Sequence, residues 1–379
     1  MHMRTFPRIV AAVALCCGAL AAATPEPHSA ADQHDRAALQ ASSIAPPSQH
    51  DSAAIQAARY RGAMLPSWGV KEEDLRTLAS WGANLARYQM AVGWGKKNAN
   101  RDLAEFDKWV DGKLDVLDDV LDWAGKYGLR IVVDLHVPPG GRGEGGEMNM
   151  FHEREYAEHF VSTWRRIARR FRGDRRIYGY DLINEPTNNK PSPDGLDYWS
   201  VQFAAAKAVR EEDPETPIIF ESNMWCQAPT YAQMKPVPLD GVIYQLHMYA
   251  PVAYTHQGTN HGQAAPANSL RWPDTECGYG RDWLRGILQP VREFCEKNPG
   301  TRIYVGEFSA SVWAPGVENY LRDCIALFEE YGWDWTYHAF RESKSWNVEM
   351  TVEDGKIVPA REVTPRKRAL LEGLRGAVR

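Results

Sequence analysis

Two glutamates stand out because each directly follows a short apolar run. Glu185 lies in the segment LINEPT and Glu307 in the segment VGEFS. Two facing carboxyl groups can divide an acid/base task and a nucleophilic task between them, which is the chemistry that cleaves a glycosidic bond. Glu221 also ends an apolar run, so it is a third candidate for the same work. For either of the first two alone, a capping or salt-bridge role is an equally good interpretation.

Further polar side chains follow other apolar runs along the chain. They are Arg87, His136, Asn184, Asn223, His247 and Tyr249. Histidines are often buried and hydrogen-bonded, so both histidines could also be ordinary core residues. No third ligand has a spacing that suits a metal site with them, and the chain has no Walker loop and no H-E-x-x-H motif. We therefore expect no metal and no cofactor.

Eight short apolar runs predict the strands that must position these residues. They are RGAML, ANLARYQ, RIVVDLH, IYGYDLINE, PIIFESN, VIYQLH, RIYVGE and DWTYHAF. Between the runs apolar residues recur with helical spacing, as at Leu114, Leu117 and Leu121. A strand followed by a helix, eight times over, predicts a parallel sheet. Because polar residues collect at the carboxyl ends of nearly all the runs, we favour a closed barrel over an open doubly wound sheet. The predicted fold is of the α/β class, a single (β/α)8 TIM barrel over residues 59–379.

Five motifs at successive strand ends carry a family resemblance. They are Arg87, DLH ending at His136, NEP at 184–186, HMY at 247–249 and GE at 306–307. In this order they resemble the retaining glycoside hydrolases of family 5, the cellulase family, and the resemblance covers roughly residues 60–375.

The resemblance implies a role for each matching residue. Glu185 would be the acid/base and Glu307 the nucleophile. Asn184 would bind the sugar 2-hydroxyl, and His136 and His247 would line the subsite next to the bond. Arg87 and Tyr249 would hold Glu307 ionised and aimed, and the permanent charge and planar fork of arginine suit that task.

The chain departs from the family at strand eight. Many members have a tryptophan there that stacks under the sugar, whereas this chain has His338, Ala339 and Phe340. We expect Phe340 or Trp346 to supply the stacking surface instead. Two or three further tryptophans would also stack sugars, from the set Trp68, Trp94, Trp225, Trp272 and Trp313.

The first part of the chain is of a different kind from the rest. Every aromatic residue except Phe6 lies from Tyr60 onward. Arg4 and Arg8 precede an apolar stretch and then small residues, which predicts an export signal over residues 1–23. Residues 24–58 predict a disordered leader rich in Ala, Ser, Gln and Pro. We therefore expect a secreted or periplasmic protein.

Charge and hydropathy limit the partners. Lys and Arg number 44 against 49 Asp and Glu, so the chain has no basic excess that would favour nucleic acid. No run after residue 23 approaches the roughly 20 apolar residues of a membrane span. We expect a monomer that binds a polysaccharide or oligosaccharide.

Four cysteines remain after the predicted signal. Cys226 lies just past strand five and Cys277 late in the loop after strand six, so we expect these two to form a disulfide. Cys295 and Cys324 lie on neighbouring predicted helices, where they could pair or stay as buried thiols.

The combined expectation is a secreted retaining glycosidase that cuts a β-1,4-linked glucan internally. Mannan cleavage, β-1,3-glucan cleavage, exo-acting release and transglycosylation remain open alternatives within the family. A carbohydrate-binding protein without catalysis is the alternative from another class, but it has no reason to keep both glutamates with Arg87 and Tyr249. The loop at residues 251–280 could close one end of the cleft, which would favour short products.

Overall fold

The eight predicted runs all form strands, and the strands close into one parallel barrel. The computed structural model describes residues 59–93, 96, 99–190, 192, 194–260 and 264–378, so the predicted signal and leader lie outside it. Each strand pairs with the next, and the last pairs with the first. The strands are β1 (Arg61–Met64), β2 (Leu85–Gln89), β3 (Arg130–Asp134), β4 (Ile177–Asp181), β5 (Ile218–Glu221), β6 (Val242–Met248), β7 (Arg302–Phe308) and β8 (Asp334–Tyr337). The (β/α)8 barrel prediction is confirmed.

Helices connect successive strands around the outside of the barrel. They are α1 (Glu72–Trp81), α2 (Leu103–Tyr127), α3 (Arg154–Arg170), α4 (Tyr198–Glu212), the short α5 (Asn223–Cys226) and α6 (Val252–Thr255), α7 (Arg281–Lys297), α8 (Val317–Tyr331) and α9 (Pro365–Leu374). An antiparallel hairpin of β9 (Met350–Glu353) and β10 (Lys356–Pro359) follows β8. None of the helices in the described ranges is both long and apolar enough to cross a membrane.

The ends of the longest helix follow from its sequence. The Asp102 side chain accepts the backbone N–H groups of Ala104 and Glu105, which satisfies two donors at the start of α2. Gly128 ends the helix with a φ of 73°, a left-handed conformation that glycine adopts without strain. Leu114, Leu117 and Leu121 lie on its buried face, as their spacing predicts.

The interior of the barrel is built in two layers. The lower layer is apolar and aromatic and consists of Tyr60, Leu85, Val132, Tyr178, Ile219, Ile243 and Tyr304. Side chains two residues apart on a strand point to the same face, so the next inward positions form a second layer above the first. That layer is polar and includes Arg87, Asp134, Glu221 and Gln245. The barrel therefore places a buried charged layer directly beneath its carboxyl-terminal rim.

Candidate active site

Arg87 is fully buried at the centre of the charged layer. Its guanidinium donates to Glu307 Oε1 at 2.7 Å and to Asp181 Oδ2 at 2.9 Å. It also donates to Asn184 Oδ1 at 3.0 Å and lies 3.1 Å from Asp134 Oδ2. Burial lowers the pKa of Arg87, but these carboxylates raise it by more, so the pKa lies well above its ordinary value. The strands therefore hold one permanent cation among several acids.

Glu307 lies near the end of β7 and faces this cation. The Tyr249 hydroxyl donates to Glu307 Oε2 at 2.9 Å. Burial would raise the pKa of the Glu307 carboxyl, but the charges of His247, His338 and Arg87 outweigh burial. The pKa of Glu307 therefore lies below its ordinary value, and the carboxylate is ionised at neutral pH.

Glu185 lies four residues past the end of β4, in a left-handed backbone conformation with a φ of 53°. Its backbone N–H donates to Glu221 Oε2 at 2.7 Å, and its carbonyl accepts from Arg142 at 2.9 Å. Its Oε1 lies 3.0 Å from Nδ1 of His247. These main-chain bonds fix the direction in which the side chain leaves the rim.

The two carboxyl groups face each other across His247. One oxygen of Glu185, one of Glu307 and a ring nitrogen of His247 all lie within 4.8 Å of one another. The Glu185 side chain is 13% exposed and that of Glu307 is 7% exposed, so both are only narrowly open to solvent. The pair is close enough for both groups to act on one bond.

The third acid, Glu221, lies below this pair and not beside it. Its side chain is completely buried. It accepts from Glu185 N–H and from the Gln245 amide, and it lies 3.4 Å from Arg87. Burial and the charge of Asp181 raise its pKa well above the ordinary value. Glu221 supports the rim from beneath and has no access to a substrate.

His136 lies at the same rim, two residues past the end of β3. Its Nδ1 is 2.7 Å from Asp134 Oδ2, and its side chain is buried. Asn184 is also buried, with its amide oxygen on Arg87 and no hydrogen bond at its amide nitrogen within the described residues. Both side chains therefore belong to the network around Arg87.

The chain matches the family described as Cellulase (glycosyl hydrolase family 5) over residues 49–344. The chain belongs to glycosyl hydrolase family 5. It is therefore a glycoside hydrolase, as the five motifs indicate.

Two curated relatives and one solved structure are similar to this chain. Endoglucanase C of Acetivibrio thermocellus is 26% identical over 319 residues, covering 76% of this chain and 88% of the relative. Cellodextrinase A of Ruminococcus flavefaciens is 27% identical over 243 residues, covering 63% and 68%. The structure of Thermotoga maritima Cel5A in complex with cellobiose has a TM-score of 0.64 at 20% identity, covering 85% and 99%, and supports the fold.

Phe340 does not supply the stacking surface that the sequence predicts for this family 5 enzyme. Phe340 is completely buried and meets the Trp81 ring edge-on, with 5.2 Å between centroids. It packs in the core between the barrel and the helices, in the same cluster as Trp81, so it offers no face to a sugar. Trp346 instead lies at the rim, 5.9 Å from the Tyr249 ring and 6.0 Å from the His338 ring.

The other tryptophans of the glycosidase divide between rim and core. The guanidinium carbon of Arg142 lies 4.7 Å from the centroid of the Trp225 ring. Trp225 also lines a cavity of about 260 Å³. Trp272 is core, because it is 2% exposed and its indole nitrogen donates to Asp323. Trp68 is 73% exposed, Trp313 donates to the Gln257 carbonyl, and Trp94 lies outside the described residues.

The expected disulfide between Cys226 and Cys277 is wrong. All four described cysteines are free thiols. Cys226 is completely buried under the rim and donates to the Gln245 carbonyl at 3.1 Å, whereas Cys277 is exposed. Cys226 faces inward because it closes the tight turn after β5, which removes it from the outer loop.

Two groups of three side chains could supply metal-ligating atoms within the described part of the enzyme. They are Glu185 with His247 and Glu307, and Glu221 with Cys226 and His247. Both need the same histidine. Burial and Glu221 raise the pKa of the Cys226 thiol well above its ordinary value, so it stays protonated and is a poor ligand. The other group is the facing carboxyl pair of Glu185 and Glu307, and the histidine already contacts Glu185 at 3.0 Å.

Several residues of the site are not among the predicted site residues. Asp134, Asp181 and Gln245 complete the buried layer, and Arg142 holds the main chain at Asn184 and Glu185. The first three lie inside apolar runs, at inward positions of period two. A polar residue at such a position is the signal that could have found them. Asn223 accepts from the backbone N–H of Asn188 and donates to its carbonyl, in the loop after β4.

Proposed function

We propose that this family 5 glycoside hydrolase is a retaining endo-β-1,4-glucanase with Glu307 as nucleophile and Glu185 as acid/base. The observation that carries the proposal is the approach of the two carboxyl groups, since one oxygen of Glu185 lies within 4.8 Å of one oxygen of Glu307. Retaining enzymes have a separation of about 5–5.5 Å, whereas inverting enzymes keep about 6.5–9.5 Å for a water molecule. The close pair supports covalent catalysis.

In the first step an oxygen of Glu307 attacks the anomeric carbon. The bond from that carbon to the leaving oxygen breaks, and Glu185 gives its proton to that oxygen. Glu307 suits this task because its pKa is lowered and it carries no proton. Arg87 and Tyr249 each donate to one of its oxygens, which limits its rotation.

In the second step water replaces the enzyme. Glu185, now a carboxylate, takes a proton from water as the water oxygen attacks the same carbon from the opposite face. The bond to Glu307 breaks and the carboxylate is restored. His247 lies 3.0 Å from Glu185 and 3.9 Å from Glu307, so it can keep the acid/base in place through both steps.

The remaining predicted residues suit substrate binding. The amide oxygen of Asn184 is held by Arg87, which leaves its amide N–H groups as the donors beside Glu185. His136 is oriented by Asp134, and Trp346 gives the rim a flat aromatic surface above Tyr249. Flat rings suit the apolar faces of pyranose sugars.

The glucan assignment rests on the relatives. Endoglucanase C is similar over 88% of its own length, and the solved Cel5A structure holds cellobiose. A second candidate, release of short units from cellodextrins, is favoured by the similarity to Cellodextrinase A. We further propose that the enzyme is secreted or periplasmic, on the strength of its N-terminal sequence. As in the sequence expectation, we propose that it acts as a monomer.

A polysaccharide panel with analysis of product length tests the substrate. We expect fastest cleavage of soluble β-1,4-glucan, with a mixture of product lengths at early times. Uniform release of one sugar or disaccharide would instead favour the cellodextrin candidate. Faster cleavage of mannan or β-1,3-glucan would contradict the β-1,4-glucanase assignment, and longer products from short donors would indicate transglycosylation.

Replacement of each carboxyl group tests the two roles. Glu185→Ala should lower turnover by roughly 100-fold to 10,000-fold, the usual contribution of a positioned acid. The loss should shrink with an activated leaving group, and azide should then give a β-glycosyl azide. Glu307→Ala should abolish turnover with every leaving group, and azide should give the opposite anomer. Exchange of these two behaviours would reverse the roles.

A further inference from the structure

A chain of three hydrogen bonds runs from the proposed nucleophile to a second glutamate. The Tyr249 hydroxyl lies 2.9 Å from Glu307 Oε2 and 2.8 Å from Nδ1 of His338. Nε2 of His338 lies 3.1 Å from Glu342 Oε2. Both ring nitrogens of His338 are therefore engaged by the protein.

The protons available on these side chains determine the donor in each of the three hydrogen bonds. Glu307 is ionised, so the single hydroxyl proton of Tyr249 must point at it. The tyrosine oxygen can then only accept, so Nδ1 of His338 must carry a proton. Nε2 must carry another, because the Glu342 carboxylate only accepts. All three bonds can exist together when His338 is an imidazolium.

The surroundings of His338 favour that state. Glu307 Oε2 lies 4.0 Å from its Nδ1, and the side chain is 15% exposed. Burial lowers the pKa of His338, but Glu307 and Glu342 raise it by more, and Glu185 adds to them, so the pKa lies above its ordinary value.

The partners of His338 keep the matching protonation. Burial would raise the pKa of Glu342, but His338 outweighs it, aided by Gln89 and His136, and the pKa lies below the ordinary value. Burial and Glu307 raise the pKa of Tyr249 well above its ordinary value, so the hydroxyl keeps its proton.

We propose that His338 is a positioning residue of this glycosidase: as an imidazolium between Glu342 and Tyr249, it turns the Tyr249 hydroxyl toward Glu307. This inference rests on the proposed role of Glu307 as nucleophile. A neutral His338 with a bare Nδ1 competes with Glu307 for the tyrosine proton. Loss of the Nδ1 proton from His338 therefore weakens the hydrogen bond from Tyr249 to one oxygen of Glu307, while Arg87 still holds the other.

The effect on activity has a defined direction with pH. Because the pKa of His338 is raised, its contribution is complete at low pH and is lost as the pH rises through that pKa. An aryl cellobioside with an activated leaving group needs no proton from Glu185. The fall of its kcat/KM at high pH therefore reports His338 without interference from the acid.

Two substitutions separate the hydrogen bond from the charge. His338→Leu removes both, and we expect its kcat/KM for the activated cellobioside to fall about 10-fold to 100-fold, less than the roughly 100-fold to 1,000-fold lost with a donor on the reacting atoms. His338→Asn keeps an amide N–H near the Nδ1 position but does not titrate. We expect it to recover most of the loss and to lack the fall at high pH.

A matched control is His159→Asn, because His159 pairs with Asp107 on the outer surface at 2.9 Å. It should keep the wild-type profile, and thermal unfolding shows whether each variant is folded. Nitrogen-15 NMR of the histidine-labelled wild type, with His338 assigned from the Asn variant, tests the state directly. At pH 7, where an ordinary histidine with a pKa of about 6.5 is mostly neutral, both ring nitrogens of His338 should remain mostly protonated.

A bare ring nitrogen on His338 at pH 7 would overturn the inference. The inference would also be overturned if the folded His338→Leu and His338→Asn variants kept the wild-type kcat/KM and pH profile while Glu307→Ala abolished activity. A wild-type enzyme without activity on any cellobioside, but with the imidazolium signal, would instead contradict the proposed function.

Discussion

The carboxyl group of Glu221 accepts the backbone N–H of Glu185, with 2.7 Å between oxygen and nitrogen. Glu221 is completely buried at the end of β5, while Glu185 lies above it with a left-handed φ of 53°. A left-handed conformation is strained for a residue with a Cβ atom and persists when surrounding contacts enforce it. The buried acid thus shapes the loop that presents Glu185, the proposed acid/base.

Removal of this support should weaken catalysis without changing its chemistry. We expect Glu221→Ala to lower kcat about 10-fold to 100-fold, since a misplacement of about 1 Å can cost 100-fold. Glu221→Gln keeps an oxygen that can accept from Glu185 and should lose less. The loss in both should be the same for good and poor leaving groups, and azide should restore nothing. Azide rescue of Glu221→Ala would show that Glu221 takes part in the reaction itself.

Arg142 holds the same loop from the other side. Its guanidinium donates at 2.9 Å to the carbonyl of Asn184 and to that of Glu185. We expect Arg142→Met to lower kcat by about 10-fold to 100-fold, because the loop loses both donors. Arg210→Met is a matched control, since Arg210 donates to the carbonyls of Asp213 and Thr216. Steady-state kinetics with equal kcat for the two variants would contradict a specific role for Arg142.

The buried acids should make stability depend on pH. Burial raises the pKa of Asp181 to about 7, with Asp134 adding to it and Arg87 opposing it. Because the folded pKa exceeds the unfolded value of about 3.9, stability is highest below that value and is lost as the pH rises through the folded pKa. Asp181→Asn lacks this titration. Its free energy of unfolding relative to wild type should therefore improve between pH 4 and 7, by up to about 1.4 kcal/mol per pH unit.

Denaturant unfolding at several pH values measures this difference. Asp282→Asn is the control, because the Asp282 side chain is fully exposed on α7. Parallel curves for wild type and Asp181→Asn across the range would show that Asp181 is ionised throughout.

Free thiols with different burial should react at different rates. Brief alkylation of the native protein, followed by peptide mapping, should modify Cys277 first and leave Cys226 and Cys324 unmodified. Burial also raises the pKa of both protected thiols, which lowers their thiolate fraction. All four should react after unfolding in guanidinium without reductant. A peptide that joins Cys226 to Cys277 would contradict the structure.

The strands and the rim were predictable because they depend on local patterns. Each apolar run forms a strand, and polar residues at the run ends meet wherever parallel strands close into a barrel. How deeply a residue lies in the barrel does not follow from such a local pattern. Glu221 and Glu307 both end apolar runs, but one lies in the layer below the rim and the other faces the cleft.

The errors have the same origin. Phe340 and Trp272 are aromatic residues in rim segments, but packing against Trp81 and Tyr320 places them in the core. Cys226 and Cys277 lie in loops of adjacent strands, but one closes a turn that faces inward. Neither outcome follows from spacing along the chain, since each depends on which neighbours fill the space.

The central claim is that Glu307 forms a covalent bond to the sugar. An activated 2-deoxy-2-fluoro-β-cellobioside should slow the second step more than the first, so that the glycosyl-enzyme accumulates. Intact-protein mass should then increase by one fluoroglycosyl group, and digestion should locate it on the peptide that contains Glu307. A label on Glu185 or Glu221, or an active enzyme that never acquires a label and releases the inverted anomer, would contradict the account.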